Sequence, residues 1–181
     1  MPKVTKIERA GKDYPEFGIK KGESHYVWSI KMQRGGIVRR SKTYPRQSQL
    51  TMSEYKGDAY RINEQIEDLK ASDYSDVSDV ESARDDLVSN AEELRDSQQD
   101  KLDNMPEGLQ QGSTGEMLQS RIDAMDQFIS ELESIDFDEF DEDQEHAEWS
   151  EDNRVNSEGQ TIEEVIEALV DQIKEISIDV E

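Results

Sequence analysis

The sequence predicts an α+β fold, in which a small antiparallel β-hairpin at the N-terminus precedes a mostly α-helical region with an antiparallel helical hairpin. Apolar residues first recur at every second position, over residues 24–33, and later recur at helical spacing in four segments. Residues 1–47 hold 12 Lys or Arg against four acidic residues, a net charge of +8, whereas residues 48–181 hold nine against 40, a net charge of -31. This asymmetry is typical of two units with different partners.

The composition limits the classes of protein to be considered. Only 33% of the 181 residues are hydrophobic, against roughly 45–50% in a typical globular domain, so we expect small cores and helix pairs. The chain has no Cys, which excludes disulfides and thiol chemistry. No apolar run approaches the ~20 residues that cross a bilayer, and residues 1–12 lack the apolar stretch of a secretory signal. We therefore expect a cytoplasmic protein with no membrane partner.

The β-hairpin is predicted from a strand at residues 24–33, because apolar and polar side chains alternate there as they do in a half-buried strand. Gly35-Gly36 is the predicted two-residue turn. A second strand is predicted over residues 37–44, and Pro45 ends it. One face of the first strand carries the apolar side chains of Tyr26, Trp28, Ile30 and Met32.

Four helices are predicted from apolar residues that recur at intervals of three and four. Each begins with a pair that can form a capping box, in which a hydroxyl and a carboxylate satisfy free backbone N–H groups. The narrow stripes are typical of coiled-coil-like pairing. The capping pairs are Thr51 with Glu54, Ser78 with Glu81, Ser113 with Glu116 and Thr161 with Glu164.

These elements predict four regions. Residues 1–71 form a basic β-hairpin module with the first helix, and residues 1–23 within it are mostly loop. Residues 72–135 form an antiparallel helical hairpin, because Pro106 and Gly108 stop one helix and turn the chain. Residues 136–160 are an acidic linker without fixed structure, and residues 161–181 form a C-terminal amphipathic helix.

The apolar face of the C-terminal helix is a predicted protein-interaction surface. Three interpretations stay open: it docks on the helical hairpin, it drives formation of a homo-oligomer, or it binds another protein. The residues of this face are Ile162, Ile166, Leu169, Ile173 and Ile176.

A nucleic-acid-binding site is predicted on the hairpin. With Gly35-Gly36 as the turn, Lys31 lies opposite Arg40, and Ser29 lies opposite Lys42. Like charges facing each other across strands are unfavourable and would be relieved by an anion such as a phosphate backbone. The alternatives are a solvated face or one neutralised by the chain's own acids, with Trp28 packed on the first helix. The predicted site comprises Lys31, Arg39, Arg40, Lys42 and Arg46, with Trp28 as a ring that stacks on bases.

Two further hypotheses concern the acidic helices. Their carboxylates could imitate nucleic acid and occupy the cationic groove of a host or phage protein, or their stripes could drive assembly. An enzyme is not predicted, because His25 and His146 lie in different regions and no phosphate-binding glycine loop or activated nucleophile appears. No cofactor or metal site is predicted.

The segments Tyr26-Val-Trp-Ser-Ile-Lys and Arg40-Ser-Lys-Thr-Tyr-Pro resemble the small arm-type DNA-binding domain at the N-terminus of phage tyrosine recombinases. The resemblance covers about 25 residues and implies DNA contact without recombination, since the catalytic Arg-His-Arg-Tyr set does not follow. The layout over roughly residues 12–135 also resembles small uncharacterised phage and bacterial proteins. This second resemblance implies a phage or mobile-element origin and a bacterial cytoplasm.

Overall fold

A computed structural model describes residues 2–32, 35–137 and 160–180. It confirms the α+β class, with a small antiparallel sheet near the N-terminus and several helices after it. The chain divides into two compact units, Met1–Arg61 and Ile62–Glu181. This division lies earlier than the predicted boundary at residue 71, and it falls inside the first helix, α1, Glu54–Asp68.

The sheet of the first unit has three antiparallel strands in the order β1 (Thr5–Ile7), β2 (His25–Met32) and β3 (Gly35–Ser41). The interpretation of residues 1–23 as mostly loop missed β1, whose three residues are too few to display an alternating pattern. β1 pairs with β2 only from Thr5↔Val27 to Ile7↔His25. The beginning of β2 therefore lies in the middle of the sheet.

The predicted hairpin turn at Gly35-Gly36 is wrong, because both glycines belong to β3. The strands pair with Lys31 opposite Gly36 and Val27 opposite Arg40, so the predicted opposition of Lys31 and Arg40 does not occur. Ser29 likewise lies opposite Val38 and not opposite Lys42. A Cβ at position 36 would stand 3.1 Å from the Ile30 carbonyl oxygen. Glycine at this position therefore allows β2 and β3 to approach each other closely and does not form the turn.

The core of the first unit contains Trp28 and Ile30 from β2, with Tyr55 and Ala59 from α1. Trp28 is 3% exposed. Its indole Nε1–H donates to the Gln49 carbonyl oxygen at 3.1 Å, within a 3-10 turn at Gln47–Leu50. The segment between β3 and α1 therefore covers the Trp28 side chain.

The second unit is built from α2 (Val77–Asp103), α3 (Glu107–Gln110), α4 (Ser113–Glu133) and α5 (Ile162–Glu175). α2 and α4 are antiparallel, as predicted: Arg84 reaches the Leu132 carbonyl oxygen near one end, and Gln98 accepts from Arg121 near the other. The buried stripe residues of α2 and α4, such as Leu87, Ala91, Ile122 and Met125, fill the space between them.

Only one of the four predicted capping boxes forms. At α5, Thr161 N donates to the Glu164 carboxylate at 2.9 Å, and Glu164 N donates to Thr161 Oγ1 at 3.3 Å. The other three pairs are wrong because each helix begins elsewhere or is capped differently. Ser53 precedes α1 and its Oγ accepts from Lys56 N, Asp76 caps α2, and Gly112 precedes α4.

The C-terminal helix docks within its own unit, which is the first of the three interpretations offered above. α5 packs against α2, and Ile162, Ile166, Leu169 and Ile173 are buried while Ile176 is half-buried. Beyond the helix, Ile178 N donates to Asn63 Oδ1, and Asn63 Nδ2 donates back to the Ile178 carbonyl oxygen, each at 2.9 Å. The predicted interaction face is thus covered by the chain itself.

The predicted linker begins later than residue 136. Phe137 is buried, and the Arg84 guanidinium carbon lies 4.8 Å from the centre of its ring. The remainder of the predicted linker, up to residue 159, lies outside the described residues. The expectation that it lacks fixed structure therefore stays a prediction.

Candidate nucleic-acid interface

The two units carry opposite net charges. The unit Met1–Arg61 contains 14 Lys or Arg and six Asp or Glu, a net charge of +8. The unit Ile62–Glu181 contains seven and 38, a net charge of -31. The structural division of the chain therefore coincides with the change in its charge, and an anion-binding site is to be sought in the first unit.

Arg40 is committed to a structural contact. Its guanidinium carbon lies 4.1 Å from the centre of the Tyr14 ring, a cation–π contact. Its Nη1 lies 3.4 Å from Nε2 of His25, which is 2% exposed. Because a guanidinium only donates hydrogen bonds, Nε2 is the acceptor and Nδ1 carries the proton, facing the Glu23 carbonyl oxygen at 3.5 Å.

Lys42 and Arg46 also have partners in this unit. Lys42 Nζ lies 3.3 Å from the Glu23 carboxylate, which accepts a hydrogen bond from Lys20 N at 2.8 Å. That backbone hydrogen bond, followed by the contact with Lys42, holds the pKa of Glu23 below its ordinary value. Arg46 N donates to the Gln49 side-chain oxygen at the start of the 3-10 turn.

Lys31 and Arg39 remain exposed, but they do not share a face. Arg39 pairs with Trp28 across the strands, whereas Lys31 lies an odd number of residues from Trp28 and so belongs to the other face. Neither side chain forms a hydrogen bond or ion pair with any residue that the structure describes. The five predicted basic residues are thus distributed over both faces, and the buried Trp28 presents no ring for stacking.

Tyr44, three residues after the end of β3, is an aromatic residue exposed to solvent, and the sequence interpretation did not select it. It is 63% exposed, and its ring meets the half-buried Tyr26 ring edge-on, with centroids 5.4 Å apart. Tyr26 lies between Lys6 and Ser41 in one row across the three strands. Arg39 stands in the neighbouring row of the same face. The signal that was missed is the position of Tyr44 directly before Pro45, where the strand has ended and a side chain can turn outward.

Lys6 adds a positive charge to this row. Its Nζ lies 3.1 Å from the Glu8 carboxylate, and this hydrogen bond raises the pKa of Lys6. Both side chains are at least half exposed, so the pair is readily exchanged for another anion. We name the surface formed by Lys6, Tyr26, Arg39 and Tyr44 the tyrosine face.

A separate groove of about 860 Å³ lies in the same unit. The described residues that line it include three lysines and no Asp or Glu. Its apolar lining comes from β2, from the segment before α1 and from α1 itself. The residues that line the groove are Pro2, Lys3, Ser29, Ile30, Lys31, Gln47, Leu50, Thr51, Met52, Lys56 and Tyr60.

Comparison with protein-family models, curated proteins and solved structures gives no match for this chain. Within the described ranges, no helix is long and apolar enough to span a bilayer. Among the same residues, no group of three His, Asp or Glu side chains is placed to hold a metal ion. The chemistry of the tyrosine face is therefore the guide to function.

Proposed function

We propose that this protein binds single-stranded nucleic acid, without catalysis, through the tyrosine face of its basic unit. The observation that carries the proposal is the exposed Tyr44 ring, set against Tyr26 on a sheet face that also bears Arg39 and Lys6. Proteins that bind single strands without reading sequence combine aromatic stacking with cations that follow the backbone. Stacking of one base on an aromatic side chain contributes about 1–3 kcal/mol.

The charge arrangement supports a single strand over a duplex. Arg40 and Lys42, which a continuous basic ribbon would need, are engaged with Tyr14 and Glu23. Arg39 and Lys6 are the two cations of the tyrosine face, and Lys6 can exchange its partner Glu8 for another anion. Few phosphate contacts suit a bound segment of a few nucleotides, in which stacking supplies much of the binding free energy.

The proposal is tested by fluorescence anisotropy of a short labelled oligothymidylate with the full chain, over a range of salt concentrations. We expect binding at low salt that weakens as salt rises, because each contacted phosphate releases counterions. Arg39→Glu should reduce both the affinity and the salt slope. Lys21→Glu is the matched control, since Lys21 carries the same charge and is exposed in a loop of the same unit. Equal binding by both variants would exclude Arg39 from the site.

A second candidate function belongs to the acidic unit. Its helices bury their apolar stripes against one another and leave carboxylates such as Asp86, Glu93 and Asp123 exposed on a packed scaffold. A rigid array of carboxylates can occupy a cationic groove as a nucleic-acid mimic does. A protein retained on the immobilised chain should then be released by DNA, and retention that DNA does not affect would remove this candidate.

A further inference from the structure

Among the residues that the structure describes, part of the central strand β2 is paired with another strand on one of its two sides only. The pairing of β1 with β2 ends at Val27, whereas the pairing of β3 with β2 continues to Met32. Within the described residues, the side of β2 that faces away from β3 therefore has no paired strand from Trp28 to Met32, although Pro2 and Lys3, which precede β1, line the same groove. A strand edge of this kind presents backbone N–H and C=O groups that can pair with an additional strand.

The groove described above adjoins this open edge. Ser29, Ile30 and Lys31 all line it. They are the central residues of the segment Trp28–Met32, which is paired with β3 on one side only. Five residues of extended chain, from Trp28 to Met32, span roughly 16 Å. The groove volume of about 860 Å³ is of the size that holds several side chains of a bound segment.

The two faces of this edge differ in chemistry. Successive strand residues point to opposite faces, so Ile30 lies on one face of the sheet and Lys31 on the other. Leu50 and Met52 add apolar surface to the groove, and Lys3 and Lys56 add positive charge. A strand laid along this edge would meet the apolar Ile30 on one face of the sheet and the cationic Lys31 on the other.

We propose that this groove binds an extended acidic peptide, which adds to the sheet as a strand beside β2 and alternates apolar with acidic residues. Backbone pairing provides the affinity, and the lysines select the sequence. This site shares no residue with the tyrosine face and lies toward the other end of β2 from Tyr26, so the proposal does not depend on nucleic-acid binding. The backbone of an oligonucleotide has no regularly spaced N–H and C=O groups to pair with a strand edge, which favours a peptide over a nucleic acid at this position.

The experiment uses the full chain and labelled peptides in fluorescence anisotropy. The probe is a short acetylated peptide of alternating Glu and Val, compared with the same sequence carrying an N-methyl group on every backbone amide. N-methylation removes the backbone donors and leaves the charges unchanged, so it separates strand addition from attraction by charge alone. We expect saturable binding of the unmodified peptide and no binding of the N-methylated peptide.

The protein variants localise the site. Lys31→Glu and Lys56→Glu should each weaken peptide binding by about fivefold to tenfold, since an exposed attraction becomes a repulsion. The control variant Lys21→Glu should bind the peptide as the unaltered chain does, and so should Tyr44→Ala. Circular dichroism verifies that each variant is folded.

Two results would overturn the proposal. Equal binding of the N-methylated and unmodified peptides would show that no strand is added. Binding of oligothymidylate that Lys31→Glu and Lys56→Glu abolish, together with no binding of the peptide, would assign the groove to nucleic acid. Loss of oligonucleotide binding in Tyr44→Ala alone concerns the tyrosine face, so the two proposals fail separately.

Discussion

Arg39 and Arg40 are neighbours in the sequence, and the sheet gives them different roles. Strand alternation directs Arg40 toward Tyr14 and the buried His25, whereas Arg39 remains in solvent. Two adjacent charged residues on a strand therefore have different surroundings, because their side chains point to opposite faces of the sheet. The binding role is expected of Arg39, and the stabilising role of Arg40.

Arg40→Ala should lower the free energy of unfolding of the first unit by about 1–2 kcal/mol, through loss of the cation–π contact and the hydrogen bond. Arg39→Ala is the matched control and should change it by less than about 0.5 kcal/mol. The measurement is urea unfolding followed by Trp28 fluorescence in a Trp149→Phe background, because the chain has two Trp. Equal destabilisation by the two variants would contradict the assigned roles.

Gly115 is buried in the first turn of α4, and a Cβ there would collide with the Gln110 backbone carbonyl. The Gln110 side chain in turn donates to the Leu102 and Met105 carbonyl oxygens at the end of α2. The atoms that a Cβ would meet belong to the Gln110 backbone, which cannot move aside as the end of a flexible side chain can. Position 115 therefore requires glycine.

Gly115→Ala should destabilise the helical unit by about 1–3 kcal/mol, the usual cost of overpacking. Gly57→Ala is the control, since a Cβ there would meet only ordinary contacts, with the Thr51 methyl group 3.7 Å away. That control should stabilise α1 by about 0.5–1 kcal/mol. Thermal unfolding followed by circular dichroism measures both, and an unaffected melting temperature in Gly115→Ala would refute the steric argument.

At the scale of elements, the helices could be predicted from sequence more closely than the sheet. The stripes of α2, α4 and α5 are buried as their spacing indicates, because a helical period repeats over many residues. β1 has only Thr5–Ile7, and the β2–β3 register depends on a glycine whose role is set by the approach of Ile30. Neither is visible in a local pattern.

Only part of the candidate site could be predicted from the sequence, because the rest depends on strand register and tertiary contacts. The sequence identified the basic unit, but it could not separate Arg39 from Arg40 without the register. Trp28 was named as a stacking residue, yet the Gln47–Leu50 turn covers it. Tyr44 gains its exposure and its contact with Tyr26 only through tertiary structure.

The capping box of α5 gives a test at this scale. Thr161→Ala should lower the free energy of unfolding by about 1 kcal/mol, because the Glu164 N–H loses its acceptor. Ser113→Ala at α4 is the control and should have little effect, since Gly112 occupies the capping position there and makes no side-chain cap. Chemical unfolding compares the two variants, and a larger loss in Ser113→Ala would reverse the assignment of the helix starts.

At the scale of the whole molecule, charge is the dominant property. The second unit carries a net charge of -31 with only seven Lys or Arg, and two of them contact more than one acid each. Arg84 contacts Glu81 and Asp85. Arg95 contacts Glu92, Asp96 and Asp126, and its hydrogen bond with Asp96 is the main cause of its raised pKa. The remaining carboxylates repel one another and oppose the compact state.

Added salt should therefore stabilise this protein. Its melting temperature should rise between low and roughly 0.5 M NaCl, because screening shortens the range of carboxylate repulsion. The control is the same titration nearer the isoelectric point of about 4.3, where partial protonation of the carboxylates leaves less repulsion to screen. A melting temperature that falls as salt is added at neutral pH would indicate that ion pairs such as those of Arg95 outweigh the repulsion.

The central claim, that the tyrosine face binds single-stranded nucleic acid by stacking, is tested most directly by the affinity of oligothymidylate for Tyr44→Ala and Tyr44→Phe. We predict that Tyr44→Phe retains the affinity of the unaltered chain, because the ring remains, and that Tyr44→Ala loses about 1–3 kcal/mol of binding free energy. Equal affinities for the unaltered chain and Tyr44→Ala, or no binding by the unaltered chain even at low salt, would contradict the claim.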